Sequence, residues 1–269
     1  MLGLILPALF APSPQAPSLA GYKLAWSDEF DKGSKPNPDD WIYEEGFVRN
    51  KELQWYQSDN ARIENGKLII EGRKERVKNP NYDPKSDNWK LNREFAEYTS
   101  ACVKTRGKHA WKYGRFEIRA KIQAEKGLWP AIWTLGVDGP WPSNGEIDIL
   151  EYYADHILAN TAYGTGGGVW KTVRTPYSKF LAKDKDWDKS YHTWRMDWDE
   201  NSIKLYLDDE LYNETDVTQT VNPDGKNPFR QPHYILLNLA IGSSGGDPSK
   251  VNFPTQYEID YVRVYQKAE

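Results

Sequence analysis

What most limits the fold of this chain is the form of its apolar segments. Lys67–Glu71, Gly114–Ile122, Ser202–Leu207, Tyr234–Ile241 and Tyr257–Tyr265 are short and rich in β-branched or aromatic residues, and several alternate apolar with polar. That is the pattern of strands with one face buried. Turn-forming runs such as Glu64-Asn65-Gly66 and Asn222-Pro223-Asp224-Gly225 separate them. No long stretch keeps the 3.6-residue period of a helix. The expected fold class is therefore all-β, a two-sheet β-sandwich of the jelly-roll kind, with few helices.

Residues 21–269 carry no Pro-rich or Gly/Ser-rich linker and no internal repeat, and read as one domain. Before them, Met1–Pro12 is an apolar run too short to span a bilayer. With Ser18-Leu19-Ala20 as a cleavage site, residues 1–20 read as a signal peptide or its remnant, although the usual basic opening is missing. The expected location is thus secreted, extracellular or periplasmic. A net charge of -4 argues against nucleic acid or an anionic membrane as partner. The single cysteine, Cys102, excludes an intrachain disulfide, and no Cys/His cluster has zinc-like spacing. Lys74 to Glu97 reads as a long polar loop, longer than a hairpin turn needs.

Twelve Trp, seventeen Tyr and eight Phe stand in a chain whose mean hydropathy is only -0.80. More rings are present than a core of such a polar chain calls for. The surplus points to an exposed groove, and flat rings suit the apolar C–H faces of sugars.

The segment Gly145-Glu146-Ile147-Asp148-Ile149-Leu150-Glu151-Tyr152-Tyr153 is the most informative. Alternation places Glu146 and Asp148 on one face and Ile147 and Ile149 on the other. Strict alternation would drive Glu151 into the core, where an unpaired carboxylate is costly. One extra residue near Ile149 and Leu150, a β-bulge, returns Glu151 to the acidic face. Glu146 and Glu151 would then stand about 13 Å apart at Cα, at ~3.3 Å per step. Side chains leaning together would bring their carboxyls to the order of 5 Å, near the ~5–5.5 Å of retaining glycosidases. Such chemistry needs one ionised carboxylate as nucleophile and one protonated acid as proton donor. Asp148 between them would modulate both. Spacing does not fix which glutamate takes which part, and E-x-D-x-x-E is also what a solvated strand face looks like.

The flanking motifs decide between these readings. Trp26-Ser27-Asp28-Glu29-Phe30, Glu52-Leu53-Gln54-Trp55-Tyr56, Tyr98-Thr99-Ser100, Tyr113-Gly114-Arg115-Phe116-Glu117, Gly127 to Trp133 and the Glu146 strand occur in order, with Asn238 and Asp260 further on. In this order the chain resembles glycoside hydrolase family 16, in its laminarinase-like β-glucanase group. The resemblance implies a curved jelly roll with an open cleft, endo-acting hydrolysis with retention, and a monomer. It implies Glu146 as nucleophile and Glu151 as acid/base, with Asp148 between. Trp129, Trp133 and Trp141 are expected against the sugar, and Asn50 and Asn238 on its hydroxyls. Asn160, on the segment after the carboxylate strand, is placed with them as substrate-binding. No cofactor is needed for catalysis. Similar enzymes often hold a structural calcium (Ca2+), for which Asp260 and a backbone oxygen near Gly66 are the expected ligands.

The sequence departs from the glucanase pattern in three places. Ala159 to Gly164 lacks a His common there, Gly242 to Asp247 lacks a Trp, and Cys102 replaces an Arg. The Gly-rich segment Gly164 to Trp170 offers Trp170 instead. The substrate expected is β-1,3- or mixed-linkage β-1,3/1,4-glucan. A β-galactan or lactosamine-type glycan, a transglycosylase and a non-catalytic sugar-binding module are the alternatives.

Overall fold

A computed structural model describes residues 16–268; the apolar run Met1–Pro12, and with it most of the signal-peptide reading, lies outside them. Two large sheets dominate. The eight-stranded one runs, in spatial order, Glu210–Asp216, Ser202–Leu207, His192–Trp198, Gly114–Lys121, Thr255–Lys267, Leu68–Gly72 and Ala61–Ile63, with Tyr22–Asp28 also paired to Thr255–Lys267. The seven-stranded one runs Val169–Pro176, His156–Tyr163, Glu146–Tyr153, Leu128–Gly136, His233–Ile241, Cys102–Lys104 and Ile42–Tyr43. All pairings within these two sheets are antiparallel. The longest helix among the described residues is the six-residue Ser178–Lys183. The expected sandwich is therefore what forms, with strand ends within two residues of the sequence expectation.

The core lies between the sheets. In Gly114–Lys121 and His192–Trp198 every second residue is buried, and Phe116, Ile118, Trp194 and Met196 meet Ile132, Ile147, Leu237 and Leu239 across the layer. His233–Ile241 is buried throughout. Its other face joins a second apolar cluster of Tyr56, Cys102, Ala131, Trp133, Tyr234 and Leu236. That cluster sits on the outer side of the seven-stranded sheet and forms a firm floor there. Cys102 is fully buried in it, as a small core residue.

The polar excursion from Lys74 to Glu97 has its own order. Val77–Lys78 pairs with Phe95–Ala96, and the buried Asn79 Nδ2 donates to the carbonyls of Lys90 and Arg93, both at 2.9 Å. Arg93 Nη1 in turn donates to the Glu52 carbonyl at 2.7 Å. The excursion is thus tied to a segment that lines the cleft.

Candidate active site

The strand Glu146–Tyr153 lies third from one edge of the seven-stranded sheet. It is entered at Gly145, with φ +80; a Cβ there would stand 2.9 Å from Pro228 Cβ and 3.2 Å from Phe229 Cε1. Only glycine combines that conformation with such close packing. Further on, Asp148 pairs with Asn160 but Glu151 with Leu158, three steps on one strand against two on its neighbour. On the other side Trp133 pairs with Asp148 and Ile132 with Leu150, so the extra residue is Ile149. This is the bulge expected from the sequence. Ile149 and Leu150 both enter the core, at 2% and 0% exposure. Burying each contributes roughly 1.5–3 kcal/mol, against about 0.5–1.5 kcal/mol for one lost ladder hydrogen bond. The bulge also keeps the Glu151 carboxyl out of the apolar layer, which decides the balance.

Three carboxyls consequently converge. Asp148 is buried and hydrogen-bonds both glutamates. Burial, then the charges of Glu151 and Glu146, push its carboxyl well above the ordinary range. Burial, then the charge of Glu146, pushes Glu151 up to about 8, although bonds from Trp129, Asn160 and Asp148 pull the other way. Glu146 is raised by burial and restrained by bonds from Asp148 and Trp141. It is the most open of the three to solvent. Trp129 Nε1 donates to Glu151 Oε1 at 2.8 Å, Asn160 Nδ2 to Glu151 Oε2 at 2.6 Å and to Asp148 Oδ2 at 3.1 Å, and Trp141 Nε1 to Glu146 Oε2.

The carboxyls open into a cleft of about 510 Å³ that crosses the sheet. Trp129, Trp133, Trp141, Asn50 and Asn238 all line it. Trp129 and Trp133 share a face because the pairing of Leu128–Gly136 with His233–Ile241 is unbroken. Trp133 Nε1 donates to Asn238 Oδ1 at 2.7 Å, and Asn238 Nδ2 donates to the Tyr56 hydroxyl at 3.0 Å. Asn50 takes a left-handed φ of 55 and donates to Glu52 Oε1 at 3.3 Å. Asn160 differs from expectation. It is 1% exposed and is not among the residues that line the cleft; its amide donates to Asp148 and Glu151.

Five lining residues, Arg49, Glu52, Ala131, Leu135 and Tyr153, were not assigned to the cleft from sequence. Arg49 places its guanidinium 5.0 Å from the centre of the Trp133 ring and pairs with Glu44. Glu52, 3% exposed, accepts from Gln54, Asn50 and Tyr56. Tyr153 packs on Trp129 at 5.1 Å. Leu135 completes the wall. In the sequence Arg49 is one charge in a polar run, indistinguishable from a solvated one, while Glu52 had a motif around it that could have flagged it.

Of the residues expected to hold calcium, Asp260 already has a cationic partner. Asp260 Oδ2 accepts from Arg119 Nη1 at 2.5 Å. Lys67, Arg119 and Lys121 all gather around the Tyr191 ring beside it. Among the described residues no group of three or more His, Cys, Asp or Glu side chains is arranged to hold a metal. A metal at Asp260 would have to displace the Arg119 guanidinium.

The profile of Glycosyl hydrolases family 16 matches residues 52–263. A β-glucanase of Rhodothermus marinus is 33% identical over 295 residues, covering 100% of this chain and 94% of its own. Two further curated relatives are longer, and the chain spans 39% and 34% of them. Among solved structures, a chain from work on endo-acting O-glycanases that prominent members of the human gut microbiota express to initiate mucin breakdown superposes with a TM-score of 0.86, at 35% identity and 95% coverage of both chains. The laminarinase catalytic domain of Thermotoga maritima MSB8 superposes with a TM-score of 0.76, at 32% identity, over 92% of this chain and 99% of that one.

Proposed function

This chain belongs to glycosyl hydrolases family 16, and from that premise we propose an endo-acting, retaining β-glycosidase that hydrolyses a β-1,3- or mixed-linkage β-1,3/1,4-glucan. The observation that carries the proposal is the Ile149 bulge, which sets Glu146, Asp148 and Glu151 on one cleft-facing surface. Glu146, the most accessible acid and one that receives two hydrogen bonds favouring its charged form, attacks the anomeric carbon. Glu151, kept protonated by burial and by the charge of Glu146, gives its proton to the departing glycosidic oxygen. The C–O bond to the leaving chain breaks as the ester to Glu146 forms. Glu151, now a base, takes a proton from water, and the hydroxide displaces Glu146 with overall retention. Asp148, between the two glutamates on the same strand, interacts with both and holds them in order. Trp129, Trp133, Trp141, Asn50 and Asn238 bind the sugar. The apolar Met1–Pro12 run supports export, where a polymer is met.

A second reading has its own support. The superposition is tighter on the chain from the O-glycanase work than on the laminarinase, 0.86 against 0.76. The sequence also lacks the His near Thr161, the Trp near Gly245 and the Arg at position 102 of the glucanase pattern. A β-galactosyl or lactosamine-type glycan is the alternative substrate. Reducing-sugar release from laminarin, barley β-glucan, β-galactan, keratan and mucin separates the two. Release from laminarin or barley β-glucan establishes the glucan reading, release confined to the last three replaces it with the β-galactosyl or lactosamine one, and release from none refutes both.

A further inference from the structure

Across the carboxylate strand from Trp133 and Asn238 the cleft continues to the edge of the sheet. Register carries Glu146 to Ala162 and on to Trp170 of the edge strand Val169–Pro176. Trp170 and Trp141 both line the cleft there and are 41% and 50% exposed. Their ring centres are 6.4 Å apart and their planes are inclined by 53°. Their polar edges are already engaged, Trp170 Nε1 with the Gly167 carbonyl at 3.0 Å and Trp141 Nε1 with Glu146. What remains open is ring face. At Gly168 a Cβ would stand 3.3 Å from Trp170 Nε1 and 3.4 Å from Pro142, so the loop packs directly onto the segment carrying Trp141. The two rings are thus fixed before any ligand arrives, which lowers the entropic cost of stacking.

The two halves of the cleft differ in chemistry. On the Trp133 side stand Arg49, Asn50, Glu52 and Asn238, polar groups suited to fixing the hydroxyls of the sugar under attack. On the Trp170 side the cleft offers exposed indole faces, which suit the C–H face of a sugar whose hydroxyls need no precise placement. We propose that Trp141 and Trp170 form a leaving-side subsite that stacks the sugars of the departing β-linked chain, so that the polymer is gripped on both sides of the bond to be cut. This rests on Glu146 and Glu151 acting as described above.

The test compares laminarin with β-laminaribiosyl fluoride, whose leaving group has no sugar to stack. Trp170→Ala should lower kcat/KM on laminarin by at least ~10-fold, mainly through KM, and on the fluoride by less than ~3-fold. Trp170→Phe should recover most of the loss. Leu211→Ala, at an apolar residue 52% exposed on the other sheet, should change neither. Equal losses on both probes would make Trp170 only a prop for Glu146 and overturn the subsite, as would an undiminished rate on laminarin. A wild type silent on both probes would refute the glucan reading instead. The same variants on poly-N-acetyllactosamine and β-lactosaminyl fluoride would then decide the subsite by the same ratio.

Discussion

On the eight-stranded sheet Glu258 meets Lys121 at 2.5 Å, Asp260 meets Arg119 at 2.5 Å and Asp197 meets Arg115 at 2.6 Å. On the seven-stranded sheet Glu146, Asp148 and Glu151 meet one another, with no cation at ion-pair distance among the described residues. The consequence is opposite proton affinity. Burial pushes Glu258 up, but bonds from Lys121 and Tyr191 outweigh it and hold the carboxyl below its ordinary range. Burial pushes Glu151 up with no cation to offset it. Both sets stand on strand faces. What separates a structural acid from a proton donor here is the company its face keeps.

Four substitutions press on that contrast. Glu146→Ala should cost the most, on the order of 10^4-fold or more in kcat, while sugar binding survives; near-normal turnover would remove Glu146 as nucleophile. Glu151→Gln should cost about 10^2–10^4-fold on polysaccharide and far less on a glycosyl fluoride, which needs little proton assistance. The same group sets the pH profile. Its acid form persists up to about 8, so kcat/KM should fall as pH rises through that value, and the limb should vanish in Glu151→Gln. A folded-state value raised above the unfolded one also means that the native protein holds a proton the unfolded chain has lost between roughly pH 4.5 and 8. Stability should therefore decline across that window, and less so in Glu151→Gln, as thermal melts at pH 5 and pH 8 would reveal.

Asp148→Asn should have a smaller effect, about 10–100-fold in kcat with little change in KM, because the amide keeps a donor between the glutamates but loses the titrating carboxyl. A loss as large as that of Glu146→Ala would make Asp148 a direct participant. The smallest effect belongs to the other sheet. Arg119→Ala breaks a partly exposed pair and should change stability by under ~1 kcal/mol, leaving turnover intact. Neither EDTA nor millimolar calcium should move the wild-type Tm. A clear calcium-dependent rise would show that Asp260 can leave Arg119 for a metal.

The sequence by itself determined the architecture and the acids. Short alternating segments such as Gly114–Lys121 can bury one face only as strands, and the clash between alternation and Glu151 already demanded an extra residue near Ile149. Those are local constraints, imposed by residues a few positions apart. Tertiary structure alone decided the rest. It turned Asn160 inward to serve the acids, laid Arg49 over Trp133, paired Asp260 with Arg119 and set Trp170 beside Trp141. Each of these depends on which strands become neighbours in a sheet, and a side chain's partners across strands dozens of residues apart are fixed by register and packing that no local pattern encodes.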